Sequence, residues 1–232
     1  MDEMLLGLVW YVVLIFSITF HEAGHAWAAL RGGDPTAYLG GQVSLDPVPH
    51  IRREPFGTVL VPLLSYSWSG FMIGWASAPY DPRWAHANPR RAGWMSLAGP
   101  AANFILVIAS ATAIRFGIAA DVFFAPNTIH FTQVVGASQA EVWGTVATLL
   151  SVTFTLNLLL LVFNLIPLPP LDGSGALALL LSDDNARRLS NFMSQPPFSM
   201  LGIVVAWFLI GPIFSPIHLM AVNLLYPELG YH

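Results

Sequence analysis

An apolar stretch from Met4 to Leu30 carries His21, Glu22 and His25 inside it, and few folds tolerate that combination. A segment of this length and character is long enough to cross a bilayer as a helix. In lipid a backbone must satisfy its own hydrogen bonds, so the helical reading is close to obligatory. On a helix, residues four apart share a face, so both imidazoles can reach one metal ion with Glu22 beside it. Three ionisable groups at membrane depth are costly, and such groups mark functional sites. The His21-Glu22-Ala23-Gly24-His25 run therefore predicts a zinc hydrolase whose chemistry takes place within the membrane.

The rest of the chain agrees with a multi-pass membrane protein. Of 232 residues, 55 % are hydrophobic and only 9 % charged, against about 25 % charged in soluble domains. The net charge of −4 offers no basic surface, so nucleic acid is not an expected partner. There is no cysteine, so any zinc must be held by histidine and carboxylate side chains. All nine basic residues are arginine, which points to a GC-rich bacterial source, and the expected location is a bacterial cytoplasmic membrane. The start, Met1-Asp2-Glu3-Met4, lacks the positive region of a secretory signal, and cleavage there would discard the motif. One membrane-embedded domain is expected over 1–232, with a core over 4–182 and an added C-terminal helix or hairpin over 197–225.

Apolar segments suited to crossing or entering the membrane run from Met4 to Leu30, Phe56 to Ala76, Ala92 to Ile118, Glu141 to Ile166, and Pro197 to about Leu225. The expected fold class is an all-α bundle of about five to six transmembrane or re-entrant helices. Arginines sort the connections. Arg31, Arg52 and Arg53 lie in the first, Arg83, Arg90 and Arg91 in the second, and Arg187 and Arg188 in the fourth. The third, Ala119 to Ala140, has none, with Arg115 on its flank. The first two connections share the cytoplasmic side only if Phe56 to Ala76 enters and returns. Gly57, Pro62, Gly70 and Gly74 suit such a hairpin. The plain alternative is a six-helix bundle.

A catalytic zinc needs a third protein ligand. Asp172 is the outstanding candidate, after the proline-broken run Asn164-Leu165-Ile166-Pro167-Leu168-Pro169-Pro170-Leu171. Read from that stretch alone, Asp172 is an N-cap for a short helix over Gly173 to Leu181. The re-entrant topology brings Asp172 level with the two histidines, whereas the fully crossing one separates them.

These motifs resemble the site-2 protease family of intramembrane zinc metalloproteases, in its compact bacterial branch without accessory domains. Three motifs coincide in order: His21 to His25, then Ala98-Gly99-Pro100-Ala101-Ala102-Asn103, then Asn164 through Gly173. The resemblance covers about Met4 to Leu180. It implies His21, His25 and Asp172 as ligands of one Zn2+ per chain, and Glu22 as the general base. It also implies Asn164 as an amide that holds the substrate carbonyl or its oxyanion; the plainer role for Asn164 is a hydrogen bond between helices. Ser77 and Tyr80 depart from the more basic or aliphatic residues expected there, which bears on substrate contacts. The implied partners are the lipid bilayer and a transmembrane segment of a protein substrate.

Residues Ala98 to Ala102 read as a packing face against the His21 helix, with Asn103 structural rather than catalytic. Thr36 to Leu45 has β-compatible composition, which predicts a small membrane-surface strand pair in which Val43 and Leu45 hold an unwound substrate by strand addition. His50, His86, His130, His218 and His232 read as solvated or interfacial, and Trp68, Trp75, Trp84 and Trp94 as interfacial anchors. Two other functions stay open: a metal-binding membrane transporter, and a non-catalytic relative that binds membrane proteins.

Overall fold

The computed structural model describes residues 2–139 and 142–232. Ala140 and Glu141, where the third connection ends and the fourth apolar segment is expected to start, lie outside them. Ten α-helices are described: α1 (Glu3–Gly32), α2 (Thr36–Leu39), α3 (Pro47–Arg53), α4 (Val61–Ser69), α5 (Pro82–Ala87), α6 (Pro89–Ala119), α7 (Val142–Asn164), α8 (Asp172–Ala176), α9 (Asp183–Met193) and α10 (Pro196–Leu225). Of these, α1, α6, α7 and α10 are long and apolar enough to cross a membrane. The protein is an all-α polytopic membrane protein.

Local chemistry sets the ends of α1. The Asp2 carboxylate accepts the Leu5 N–H at 2.7 Å, which caps the first turn. At the other end Gly33 adopts φ 100°, and its N–H returns to the carbonyls of Ala29 and Leu30. Pro100 lies inside α6, and Pro212 and Pro216 inside α10, yet both helices run on. The expected C-terminal span is thus one continuous helix and not a hairpin.

Helices α1, α6 and α7 form the gripped centre. Trp10, Val13 and Leu14 of α1 pack with Val152 and Leu156 of α7. Val107 and Ile114 of α6 pack with Phe154 and Leu158 of α7. Helix α1 closes on α6 at Gly24, where a methyl group would sit 2.8 Å from the Ala98 carbonyl oxygen. Helix α10 lies at the margin and leaves Met200, Val204, Trp207 and Phe208 exposed.

The segment after α3 enters and turns back. A π-helical turn, Phe56–Leu60, leads into α4, and Gly70 at φ 69° reverses the chain. An extended stretch over 71–81 then runs back alongside, with the Trp75 N–H donating to the Gly57 carbonyl at 3.0 Å. At the mouth of this hairpin the Ser77 hydroxyl donates to the Glu54 carboxylate at 2.7 Å. Near its tip the Tyr66 hydroxyl donates to the Glu3 carbonyl at 3.0 Å, at the far end of α1. Both of its ends therefore lie on one side, as the arginine distribution requires.

The strand pair expected over Thr36 to Leu45 is absent, and with it the substrate edge assigned to Val43 and Leu45. Asp34 captures the chain first: its carboxylate accepts the Thr36 N–H at 2.9 Å and starts the helical turn α2. Its second oxygen accepts the Asp81 N–H at 2.7 Å, tying the end of α1 to the returning hairpin. Gly41 at φ 74° and the Asp46 cap of α3 leave only a loop between. The one described sheet pairs β1 (Phe123–Phe124) with β2 (Gly136–Ala137), antiparallel, at the opposite end of the bundle. His50 is buried at 1 % exposure rather than solvated, its Nε2 3.2 Å from the Ser44 carbonyl.

Candidate active site

His21, Glu22 and His25 are each 7 % exposed on the inner face of α1. Their nearest ligand atoms lie within 4.8 Å of one another, a spacing that suits one metal ion. The two Nε2 atoms are 3.0 Å apart. Asp172 arrives from α8 and straddles them, with Oδ2 3.1 Å from His21 Nε2 and Oδ1 3.2 Å from His25 Nε2. Four-coordinate zinc with bonds of about 2.0–2.1 Å sets its ligand atoms about 3.3 Å apart. Three donors already at 3.0–3.2 Å need to move little to enclose such an ion. The donor set of two imidazoles and a carboxylate is that of catalytic zinc sites, which leave a fourth position open.

Asp172 is the first residue of α8 and makes no capping bond; Leu171 occupies the cap position. Its position depends on close packing behind it. A side chain on Gly173 would collide with the Leu165 and Ile166 carbonyls, so the chain turns sharply out of the proline-rich run only with glycine there. The motif on α6 is equally tight. A methyl group on Gly99 would fall against Nε2 of both His21 and His25, into the space a metal ion needs. Gly99 is thus part of the site itself rather than of a packing face alone.

The other imidazole nitrogens are engaged. His25 Nδ1 is 2.7 Å from the Met95 carbonyl, so it carries the proton and donates there. His21 Nδ1 is 2.6 Å from Asn103 Oδ1. In a neutral ring bonded in this way, the Nε2 that faces Asp172 is the nitrogen with the lone pair a metal can use. The sequence offered no signal separating Asn103 from a packing amide; only the α1–α6 contact reveals its partner.

His21, Glu22, His25 and Asp172 line a cavity of about 460 Å3. Its walls include Ser77 and Tyr80 from the returning hairpin, Asn164 from the end of α7, and Arg187 and Met193 from α9. The Asn164 Nδ2 donates to the Leu160 carbonyl at 3.1 Å, which uses one of its two N–H groups. Helix α9 is held over this cavity by Arg187, whose Nε donates to the His86 carbonyl at 3.0 Å. Val43 and Leu45 do not reach it. They border a separate apolar groove of about 1080 Å3 on the other side of the α1–α6 contact, with Trp27 and Trp94. The structure brings together His21, Glu22, His25, Asn164 and Asp172 and leaves those two residues apart.

The fold and the geometry together define a polytopic membrane protein in which the His21, Glu22 and His25 cluster of α1 faces Asp172 at the start of α8. The family model for peptidase family M50 matches residues 9–209, and the chain belongs to that family, the site-2 proteases. It is similar to the "Putative zinc metalloprotease YwhC" of Bacillus subtilis, 35 % identical over 70 % of this chain and 64 % of the relative. It is also similar to two proteins named "Putative zinc metalloprotease Rip2". The one from Mycolicibacterium smegmatis is 30 % identical over 76 % of this chain, and the one from Mycobacterium tuberculosis is 34 % identical over the same share. The chain thus spans 58–64 % of the length of the relatives it matches. No solved structure matches it.

Proposed function

We propose that this protein is an intramembrane zinc endopeptidase that hydrolyses a peptide bond within or near a transmembrane segment of another membrane protein. The observation that carries the reading is the convergence of Asp172 on His21 and His25 at 3.1 and 3.2 Å, with both histidines on a helix apolar enough to cross a bilayer. His21, His25 and Asp172 are the ligands of one zinc ion in this proposal. The bound ion supplies Lewis acidity and lowers the pKa of its water.

The remaining roles fall to the chain. Glu22, within 4.8 Å of the imidazole nitrogens, takes a proton from the attacking water and returns it to the leaving amine nitrogen. Asn164 keeps one N–H free beyond its bond to Leu160, and directs it at the oxygen of the scissile carbonyl. A helical substrate shields its own carbonyls, so it must unwind before either group can act. The 460 Å3 cavity has room for water and an extended backbone.

The proposed orientation sets the site near the cytoplasmic face of a bacterial membrane. Eight arginines, at 31, 52, 53, 83, 90, 91, 187 and 188, cluster at the site's end of the bundle, and Arg115 stands alone toward the other.

Reconstitution with a set of single-pass membrane peptides tests the reading. The native protein is expected to cut one or more of them, and Glu22→Gln to cut none while holding zinc. Full activity in Glu22→Gln would remove the proposed base. Wild-type zinc content in Asp172→Ala would remove the ligand set.

A further inference from the structure

Behind His21 lies a buried polar relay that the reaction itself does not use. Asn103 accepts from His21 Nδ1 at 2.6 Å and donates through Nδ2 to Asn157 Oδ1 at 2.8 Å. Asn157 in turn donates through Nδ2 to the Thr153 carbonyl at 2.8 Å and to Ser17 Oγ at 2.9 Å. Asn103, Asn157 and Ser17 are all 0 % exposed. The relay leaves α1 at His21, crosses α6 and α7, and returns to α1 one turn before it began.

We propose that Asn157, two amides removed from the metal centre, is a positioning residue that sets which nitrogen of His21 faces the ion. The proposal rests on the reading of His21 as a ligand. A neutral imidazole has one N–H, and only its bare nitrogen can bind a metal. His25 has its proton fixed by a backbone carbonyl, which can only accept. His21 has no such anchor: its partner is a side-chain amide, and an amide can present either end.

The anchor lies further along. The Thr153 carbonyl only accepts, so the end of Asn157 that meets it must be the NH2. Asn157 then offers oxygen to Asn103, Asn103 must answer with its own NH2, and its oxygen is left for His21. The proton of His21 is thereby held on Nδ1, and Nε2 stays bare toward Asp172. A reversed Asn157 would set two oxygens against each other in a fully buried site, which is costly. Groups behind metal-bound histidines commonly act in this way, through ring orientation and proton placement.

Zinc affinity separates this role from simple helix glue. In the full-length protein, purified in detergent, zinc is titrated against a competing chelator for the wild type, Asn103→Leu, Asn157→Leu and Asn157→Asp. The two leucine variants are expected to weaken zinc binding roughly 10- to 100-fold, as loss of such supporting groups does elsewhere. In a buried apolar site Asn157→Asp enters as the neutral acid, whose O–H replaces the amide NH2 and whose carbonyl still accepts from Asn103. It is expected to bind zinc within a few-fold of wild type, since it preserves the relay's direction. Asn157→Ala removes the same polarity without added bulk and carries the same expectation as Asn157→Leu if that variant does not fold. Equal zinc affinity in the aspartate and the leucine or alanine variants, whether all weak or all intact, overturns the proposal. Asp172→Ala serves as the control: wild-type zinc binding there defeats the ligand assignment beneath the proposal rather than the relay.

Discussion

Helices α1 and α10 share a length of 30 residues and a peak mean hydropathy of 2.1, yet half of that stretch is buried in α1 and only 11 % in α10. Hydropathy is blind to the difference because lipid and protein interior are equally apolar. What distinguishes α1 is its content of groups that lipid cannot satisfy. Ser17, His21, Glu22 and His25 need a polar surrounding; Gly24 lets α6 approach closely enough to supply partners to both histidines, and α7 supplies one to Ser17. Helix α10 carries large exposed apolar side chains along its first half, and its buried contacts are those of Ala206 with Ile166 and Leu171 and, near its end, of Val222 and Leu225 with the α6–α7 cluster. A membrane helix is drawn inward by its polar and small residues, whereas its oiliness fixes only that it spans.

That contrast can be broken most severely at α1. Glu22→Gln is expected to reduce peptide cleavage by about 10²- to 10⁴-fold, the usual contribution of a general base, with zinc content unchanged. Gly24→Leu drives a side chain into the Ala98 carbonyl; it is expected to cost about 1–3 kcal/mol in unfolding measurements and to lower zinc content by spreading α1 from α6.

A smaller effect is expected at the joint where α1 ends. Burial alone would raise the Asp34 carboxyl, but donors from Thr36 and the Asp81 N–H hold it below its ordinary 3.8. A depressed carboxyl stabilises the folded state above its unfolded pKa, and that contribution is lost as pH falls below 3.8 toward the folded value. Thermal melts between neutral pH and pH 3 are expected to show a steeper acid loss for wild type than for Asp34→Asn, and a lower neutral-pH midpoint for the variant. The smallest effect belongs to α10. Phe208→Leu and Met200→Leu, at 75 % and 72 % exposure, are expected to shift stability by no more than about 0.5 kcal/mol. A loss as large as that of Gly24→Leu would mean that α10 is gripped after all.

The grouping of His21, Glu22 and His25 was legible because its geometry is local. His21 and His25 stand four apart on one helix, so sequence spacing fixes their common face before any tertiary contact forms. The return of Phe56 to Ala76 was legible by a different physical route, the uneven distribution of arginine, which constrains the side on which each connection lies. The strand expected over Thr36 to Leu45 failed for a reason equally local. β-compatible side chains lost to the Asp34 carboxylate, whose bond to the Thr36 N–H starts a helical turn. Asn103 and Gly99 looked like packing residues because nothing in α6 by itself reveals that they face the imidazoles of α1.

From the residues alone came the number of apolar segments, the pairing of two imidazoles with a carboxylate between them, and the absence of thiol ligands. Those properties depend on composition and on the 3.6-residue turn, which no distant contact can alter. Tertiary packing decided the rest: that Asp172 bridges both histidines instead of capping α8, that an amide relay stands behind one ring and a backbone carbonyl behind the other, and that Val43 and Leu45 face a different groove. Each of these is a meeting of residues far apart in the chain, and such meetings are fixed only when the small-residue contact of α1 with α6 sets how deeply the helices interlock.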